Sequence, residues 1–184
     1  MKTVNEIINS KKCLACGMCK SVCPKDAIEL FPNEKSGFWE VKMNGEKCVS
    51  CGLCLASCPV KEDVLPKADT LGAYKAIALC RSTDEAVRKN ATSGGAVNSI
   101  IRYLIENGVA DSVLCVKEDM TSPFETDAVI INKANCRLLS AAPRDFASRY
   151  VSYPVLSKLK ECTGRTAVVG TPCQIKALAE KDKN

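Results

Sequence analysis

The stretch that decides the fold reads Cys13-Leu14-Ala15-Cys16-Gly17-Met18-Cys19, followed three residues later by Cys23-Pro24. The same pattern returns as Cys48-Val49-Ser50-Cys51-Gly52-Leu53-Cys54, followed by Cys58-Pro59. Both copies have the spacing C-x2-C-x2-C-x3-C-P. Three cysteines two residues apart on one tight loop can bind three corners of a compact metal cluster, while the fourth is directed away from it. The doubled pattern therefore predicts two metal centres.

This spacing is that of bacterial ferredoxins, in which the fourth cysteine of each motif binds the other 4Fe–4S cluster. We predict that one cluster is bound by Cys13, Cys16, Cys19 and Cys58, and the second by Cys48, Cys51, Cys54 and Cys23. Each fourth cysteine is expected to open a helix after its loop. A buried thiol, a disulfide or a zinc site is the alternative for a single cysteine, and each leaves the regular triplet-plus-one pattern unexplained.

Glycine and proline occupy equivalent places in the two copies. Gly17 and Gly52 are expected to let the backbone approach the cluster and direct amide groups at its sulfurs. Pro24 and Pro59 are expected to stop the turns from continuing as regular structure.

Length and composition limit the remaining possibilities. A chain of 184 residues, 46% of them hydrophobic, can form one large or two modest domains. We assign residues 1–65 to a two-cluster ferredoxin-like domain and residues 66–184 to an α/β domain, so the predicted fold class is α+β. Thirteen cysteines without a secretory signal predict a reducing, cytoplasmic setting. No run approaches the ~18 apolar residues of a membrane helix, so no membrane insertion is expected.

The chain contains no histidine, which excludes a Ser-His-Asp triad, a Rieske centre and a histidine-ligated haem. Its formal charge is +5 with cysteines counted as neutral. Because an oxidised cluster with four thiolates carries about −2, two clusters would leave the chain at roughly +1. We therefore expect no nucleic-acid partner.

A hairpin is predicted between the two cysteine motifs. Residues 26–31 have the pattern of a helix end leading into a strand, and residues 38–43 alternate as a second strand, with turn residues between them. Trp39, the only tryptophan, is expected to shield one cluster from water, with contact to a partner as the alternative.

Residues 60–67 are predicted to be a linker, and alternating strands and helices follow it, which indicates an α/β sheet. The predicted strands cover residues 71–80, 112–116, 128–131 and 166–169. The predicted helices cover residues 85–89, 96–106, 154–160 and 172–180.

Two motifs in this second region have the residue types of binding sites. Thr92-Ser93-Gly94-Gly95 precedes a helix, where free amides attract an anion, and an ordinary helix cap is the alternative. In Gly170-Thr171-Pro172-Cys173-Gln174, Cys173 is expected in the first helical turn, where the dipole favours a thiolate. Such a thiolate could ligate a metal, attack a disulfide or lie against a cofactor, and a buried structural cysteine is the alternative.

The other cysteines lack the spacing of metal ligands. Cys80 and Cys115, at predicted strand ends, are expected in the core. Cys136, Cys162 and Cys173 would bind a third 4Fe–4S cluster if the fold brings them together.

The order of these motifs resembles the family of beta subunits of coenzyme F420-reducing hydrogenases and dehydrogenases. The residues that carry the resemblance are Cys80-Arg81-Ser82-Thr83-Asp84, Arg88-Lys89-Asn90, Ser93-Gly94-Gly95, Ser148-Arg149-Tyr150-Val151 and Gly170-Thr171-Pro172-Cys173-Gln174. It implies an iron–sulfur flavoprotein in which clusters exchange electrons with FAD, and the flavin exchanges hydride with a deazaflavin or another two-electron acceptor. It also implies that the flavin or its cluster lies near Ser93, Gly94, Gly95, Thr171, Cys173 and Gln174. Arg149 joins this set, at a place where the family often has lysine.

Family members generally continue beyond the Gly170–Gln174 motif, so this chain is expected to be a fragment, a truncated product or a subunit completed by another chain. Our main hypothesis is a subunit that passes electrons between a low-potential donor and a flavin and serves coenzyme F420 or a related two-electron acceptor. Other redox subunits or a ferredoxin-like protein would be the donor. The alternatives are a non-enzymatic carrier docked to a larger complex, and a ferredoxin-dependent disulfide reductase that uses Cys173.

Overall fold

The computed structural model describes residues 3–61, 74–91, 93–118, 126–141 and 153–182. We call residues 3–61 the cysteine-motif region and the described residues from 74 to 182 the sheet region. The helices are α1 Asn5–Asn9, α2 Met18–Val22, α3 Leu53–Ala56, α4 Glu85–Lys89, α5 Ala96–Glu106, α6 Leu138–Ala141 and α7 Pro172–Lys181, with a 3₁₀ helix at Val155–Glu161. The strands are β1 Ile28–Pro32, β2 Trp39–Met43, β3 Ser112–Glu118, β4 Thr126–Asn132 and β5 Thr166–Val168.

The cysteine-motif region is organised around the predicted hairpin. Strands β1 and β2 pair antiparallel, with Ile28 opposite Met43 and Pro32 opposite Trp39. Their inner face packs on α1 and on cysteines of both motifs, in a core of Val4, Ile7, Ala15, Cys19, Ile28, Val41, Cys54 and Cys58. The hairpin thereby holds the two cysteine loops against one shared core.

The sheet region is built on a mixed sheet of order β4-β3-β5. Strand β3 pairs antiparallel with β4 and parallel with β5, so the predicted alternation of strands and helices does not give an all-parallel sheet. One face packs on α5 through Ile101 and Ile105. The opposite face, through Leu114 and Val116, packs on the 3₁₀ helix, on α7 and on Met18 of the cysteine-motif region.

Most predicted elements of the sheet region are confirmed. Helix α5 has the predicted bounds, and α4 begins after Asp84, whose carboxylate accepts hydrogen bonds from the amides of Ala86 and Val87. The predicted helix at 154–160 is a 3₁₀ helix shifted by one residue. None of the described helices has the length and apolar character needed to cross a bilayer.

The strand predicted at residues 71–80 is wrong for its described part. Residues 74–80 form no strand, and their apolar side chains face solvent, with Ile77 82% exposed. An alternating apolar pattern makes a strand only when a neighbouring backbone supplies hydrogen bonds, and no described strand pairs with this segment. Residues 71–73 and most of the predicted linker lie outside the described residues.

Candidate metal centre

The two cysteine loops share one backbone geometry. Ala15 and Gly17 have φ of 49° and 88°, and the residues at the equivalent places, Ser50 and Gly52, have 55° and 79°. A left-handed backbone costs a residue with a side chain about 1–2 kcal/mol. Such strain is found where a surrounding structure or a ligand fixes the backbone, so its repetition in both loops marks them as candidate sites.

Each loop leads into a short helix that holds the third cysteine and ends before the fourth. Cys19 lies in the first turn of α2 and Cys54 in that of α3, and both are buried. Cys23 caps the carboxyl end of α2, and Cys58 follows Ser57, the cap of α3. The expectation that the fourth cysteine opens a helix is therefore wrong: left-handed Gly17 and Gly52 start the helices earlier in each motif.

The first cavity, which we call the first site, encloses about 340 Å³ that is partly open to solvent. It is lined by Cys13, Cys16 and Cys19 of the first motif and by Cys58 of the second. Cys54 also reaches it, and its walls are apolar side chains such as Val4, Met18 and Val41. Three cysteines of one motif thus meet the fourth cysteine of the other.

The second cavity, the second site, has the complementary lining and encloses about 350 Å³, again partly open to solvent. Its cysteines are Cys48, Cys51 and Cys54 of the second motif and Cys23 of the first. Cys51 is exposed, whereas every cysteine of the first site is at least partly buried. The two sites therefore differ in how closely solvent approaches them.

The residues present fit two iron–sulfur clusters. All thirteen cysteines are free, so no motif thiol is used in a disulfide, and soft thiolates are the ligands that such clusters take. Backbone amides donate to three of the sulfurs: Ala15 N to Cys13 Sγ at 3.4 Å, Ala27 N to Cys23 Sγ at 3.3 Å and Val4 N to Cys54 Sγ at 3.4 Å. Such bonds stabilise a ligating thiolate and tune the metal. In the described ranges, no three acidic, histidine or cysteine side chains lie close enough to hold a single ion.

Burial sets the acidity of these thiols. It raises the pKa of Cys16 to about 11, with added contributions from the charges of Cys173, Cys58 and Cys13. Burial likewise raises the pKa of Cys19 and of Cys58. Because a cysteine ligates metal as the thiolate, metal binding at the first site must release protons that the apo protein holds tightly.

The sheet region covers the first loop. Met18 and Cys16 pack with Leu156 and Ala177 in the core beneath the sheet. A Cβ on Gly17 would lie only 2.6 Å from the carbonyl oxygen of Pro154, so the 3₁₀ helix approaches the loop as closely as a glycine allows. No spacing rule in the sequence indicates this cover, because it comes from residues far along the chain.

Trp39 and Tyr153 join the two regions. Their rings meet edge to face with centroids 5.2 Å apart, and the Tyr153 hydroxyl donates to Asp127 Oδ1 at 2.8 Å. Trp39 is half-buried and packs against the cores on both sides. It therefore contacts the sheet region of its own chain.

Cys173 lies near the first site, since its charge contributes to the raised pKa of Cys16. It occupies the predicted first turn of α7, with its sulfur 3.1 Å from Thr171 Oγ1. Gln174, predicted near a flavin, is 2% exposed, and its side chain is engaged inside the protein. Its Oε1 accepts from the Thr171 amide at 2.8 Å, and its Nε2 donates to the Tyr153 carbonyl at 2.7 Å.

The Ser93-Gly94-Gly95 motif lies at the start of α5, with Ser93 exposed. Gly95 caps the helix at a φ of 77°, and a Cβ on Gly94 would stand 3.0 Å from Cβ of Arg81. The Gly94 carbonyl accepts from the Ser82 amide at 2.8 Å. Close packing on residues 81–82 thus explains both glycines structurally. Thr92 and the segment 148–151, which includes Arg149, lie outside the described residues.

The remaining cysteines do not form a third site. Cys115 is fully buried, as predicted, whereas Cys80 is exposed, so its predicted core position is wrong. Cys136 lies in the core on the α5 face of the sheet, and Cys162 packs on the opposite face. The sheet separates them, so the condition for a third cluster from Cys136, Cys162 and Cys173 is not met.

Two family models match the chain. A 4Fe-4S dicluster domain matches residues 12–61, which contain both cysteine loops. The model described as coenzyme F420 hydrogenase/dehydrogenase, beta subunit N-term matches residues 77–160. Over these ranges the chain is similar to a dicluster ferredoxin domain and to the N-terminal part of this family of beta subunits. The family match covers the motifs between residues 80 and 95 that carried the resemblance, so that prediction is confirmed.

Curated relatives of the family align along much of the chain. An F(420)H(2) dehydrogenase subunit of Methanosarcina mazei is 27% identical over 95% of the chain and 49% of its own length. The coenzyme F420-dependent sulfite reductase of Methanocaldococcus jannaschii is 28% identical over 95% of the chain and 26% of its own length. Coenzyme F420 hydrogenase subunit beta of Methanococcus voltae is 30% identical over 58% of the chain and 38% of its length. The chain thus spans half or less of each of these relatives.

Proposed function

We propose that this chain is an iron–sulfur electron-transfer unit that passes electrons between a low-potential redox partner and a flavin, in the service of coenzyme F420 or a related two-electron acceptor. The partner would be another redox subunit or a ferredoxin-like protein. We place the protein in the cytoplasm, because thirteen free cysteines suit a reducing compartment.

The observation that carries this proposal is the crossed lining of the two cavities. The first site has Cys13, Cys16, Cys19 and Cys58, and the second has Cys48, Cys51, Cys54 and Cys23. We propose these two sets as the ligands of two 4Fe–4S clusters. When bound, such clusters accept and donate one electron at a time, at low potential under all-cysteine ligation.

The two sites differ in what surrounds them, and we propose that they exchange electrons with different groups. The sheet region packs on the first loop and brings α7, with Cys173, close to Cys16. The second site keeps Cys51 at the surface, where a partner can approach it. We therefore propose that the second site exchanges electrons with the partner and the first site with the sheet region.

The sheet topology supports a flavin at one edge of the sheet. Strand β5 is parallel to β3 and leads into α7, and α5 enters β3 through a short turn at 107–111. The amino ends of α5 and α7 therefore lie toward the carboxyl ends of these two strands, the edge where α/β sheets bind ligands. A flavin there would collect two single electrons and release them as hydride, with Ser93, Gly94, Gly95, Thr171, Cys173 and Arg149 as its proposed neighbours.

A second candidate function is that of a non-enzymatic carrier that docks to a larger complex. Its support is that Gln174 and both glycines of the Ser93-Gly94-Gly95 motif have internal structural roles. The disulfide reductase hypothesis has less support, because Cys16, the cysteine whose pKa the charge of Cys173 affects, is a proposed cluster ligand and not a free resolving thiol.

Quantification of iron and flavin in anaerobically purified protein tests these proposals. We expect about eight irons per chain, visible absorbance that dithionite bleaches, and flavin released on denaturation. About eight irons without flavin would favour the carrier. About twelve irons would contradict the absence of a third site, and iron-free protein would overturn both functions.

A further inference from the structure

One lysine of the sheet region bonds directly to a residue of the second site. Lys160, in the last turn of the 3₁₀ helix, donates from Nζ to the carbonyl oxygen of Cys23 at 2.6 Å. The same ammonium pairs with Asp26 Oδ1 at 2.8 Å. Cys23 belongs by sequence to the first motif but lines the second site. A cation of the sheet region therefore reaches a proposed ligand of the cluster that the sheet region does not cover.

We propose that Lys160 raises the reduction potential of the cluster at the second site, and that docking of the sheet region thereby sets that potential. This inference rests on the proposed function. A cluster gains negative charge when it is reduced, and a positive charge held against the peptide group of a ligand favours the reduced state. Hydrogen bonds, net charge and exposure near the sulfurs are the means by which proteins tune such potentials.

The second motif has a different arrangement around its fourth cysteine. Lys61 follows Cys58 at the same distance as Asp26 follows Cys23, so the repeat has a base in one copy and an acid in the other. Lys61 pairs with Glu180 of α7 at 2.8 Å and donates to the Ala56 carbonyl at 2.7 Å. Both copies are thus tied to the sheet region by an ion pair, but in the first copy the lysine bonds the carbonyl of the ligand cysteine.

Exposure limits the size of the effect and predicts its salt dependence. The side chains of Lys160 and Asp26 are 42% and 76% exposed, so water and ions screen their charges. We expect the lysine to change the one-electron reduction equilibrium by on the order of threefold at low salt, ~30 mV at 59 mV per tenfold. The shift should shrink as the ionic strength rises.

Redox titration of the cluster-loaded protein, followed by electron paramagnetic resonance at low salt, tests the proposal with two opposite variants. Lys160→Gln removes the cation and is expected to lower one of the two potentials. Asp26→Asn removes the neighbouring anion and is expected to raise the same potential. Both variants break the same ion pair, so a purely structural role would move the potential in one direction for both.

Lys158→Gln is the matched control, because Lys158 lies on the same 3₁₀ helix and pairs with Glu161 within it. Its potentials are expected to equal those of the wild type. The shifted signal must be the one lost in Cys51→Ala or, if that variant does not fold, in Cys48→Ala. Unchanged potentials, shifts of equal sign, or a shift at the other cluster would overturn the proposal. Absence of clusters in the wild type would instead overturn the proposed function.

Discussion

The two copies of the cysteine motif have the same spacing and backbone but different surroundings. Met18 is 1% exposed, whereas Leu53, at the equivalent place in the second copy, is 45% exposed. Cys16 packs in a core shared with the sheet region, and Cys51 faces solvent. The local pattern therefore sets the geometry of the ligands, while residues far along the chain decide which site the sheet region packs against. Substitutions where the sheet region packs on the first copy should therefore destabilise the protein more than substitutions at equivalent places in the second copy.

The largest expected difference is between the two apolar residues that follow the loop glycines. Met18→Ala should lower the free energy of unfolding by about 2–5 kcal/mol, because it opens a cavity where the two regions meet. Leu53→Ala should cost less than about 1 kcal/mol, because much of that side chain already contacts water. Anaerobic urea unfolding followed by the fluorescence of Trp39 measures both. Equal losses would show that the two copies are buried alike.

The loop glycines give the next comparison. A side chain at either left-handed position should cost about 1–2 kcal/mol, so Gly52→Ala should lose that amount. Gly17→Ala should lose a further ~1–3 kcal/mol, since its Cβ would meet the Pro154 carbonyl at 2.6 Å. The same urea titration reports the difference. A Gly17→Ala variant no less stable than Gly52→Ala would mean that the 3₁₀ helix does not lie against the first loop.

Tyr153 packs against Trp39 where the cysteine-motif region meets the sheet region. Its substitution should have a smaller effect on the free energy of unfolding, and this effect should depend on pH. Tyr153→Phe removes the hydrogen bond to Asp127 and should cost about 1 kcal/mol at neutral pH, against less than about 0.5 kcal/mol for exposed Tyr103→Phe. Burial, and then the hydrogen bond to Asp127, raises the pKa of Tyr153 above its usual value. The folded state thus keeps a neutral phenol that the unfolded chain ionises near pH ~10.

The contribution of the phenol is complete below about pH 10 and falls as the pH rises above that value, because only the unfolded chain releases the proton. Wild-type stability should therefore fall more steeply than that of Tyr153→Phe between about pH 10 and 11. Parallel pH profiles of the two proteins would contradict a buried hydroxyl at this position.

Local signals in the sequence were sufficient to predict the helices and strands whose ends they mark. Helix α5 runs from Ala96 to Glu106 as predicted, because glycines with positive φ, Gly95 and Gly108, flank an amphipathic stretch. The hairpin of β1 and β2 was likewise predictable from its alternation and its turn residues. The eight motif cysteines could be sorted into two sets because their spacing repeats.

Features that depend on distant residues could not be predicted in the same way. Alternation alone suggested a strand at residues 74–80, yet no described strand pairs with them. The roles of Gln174 and Lys160 depend on contacts with Tyr153 and Cys23, which no spacing rule connects. The separation of Cys136 from Cys162 depends on which face of the sheet each occupies.

The position of Cys23 in the second site, away from the other cysteines of its own motif, is tested by the cluster that remains in three single variants. Iron content and the electron paramagnetic resonance signal would be measured in anaerobic Cys23→Ala, Cys51→Ala and Cys16→Ala. Each should keep about four irons, in one cluster. Cys23→Ala is expected to leave the same signal as Cys51→Ala, although Cys23 lies in the motif of Cys16. A residual signal that matches Cys16→Ala instead would contradict the crossed sites.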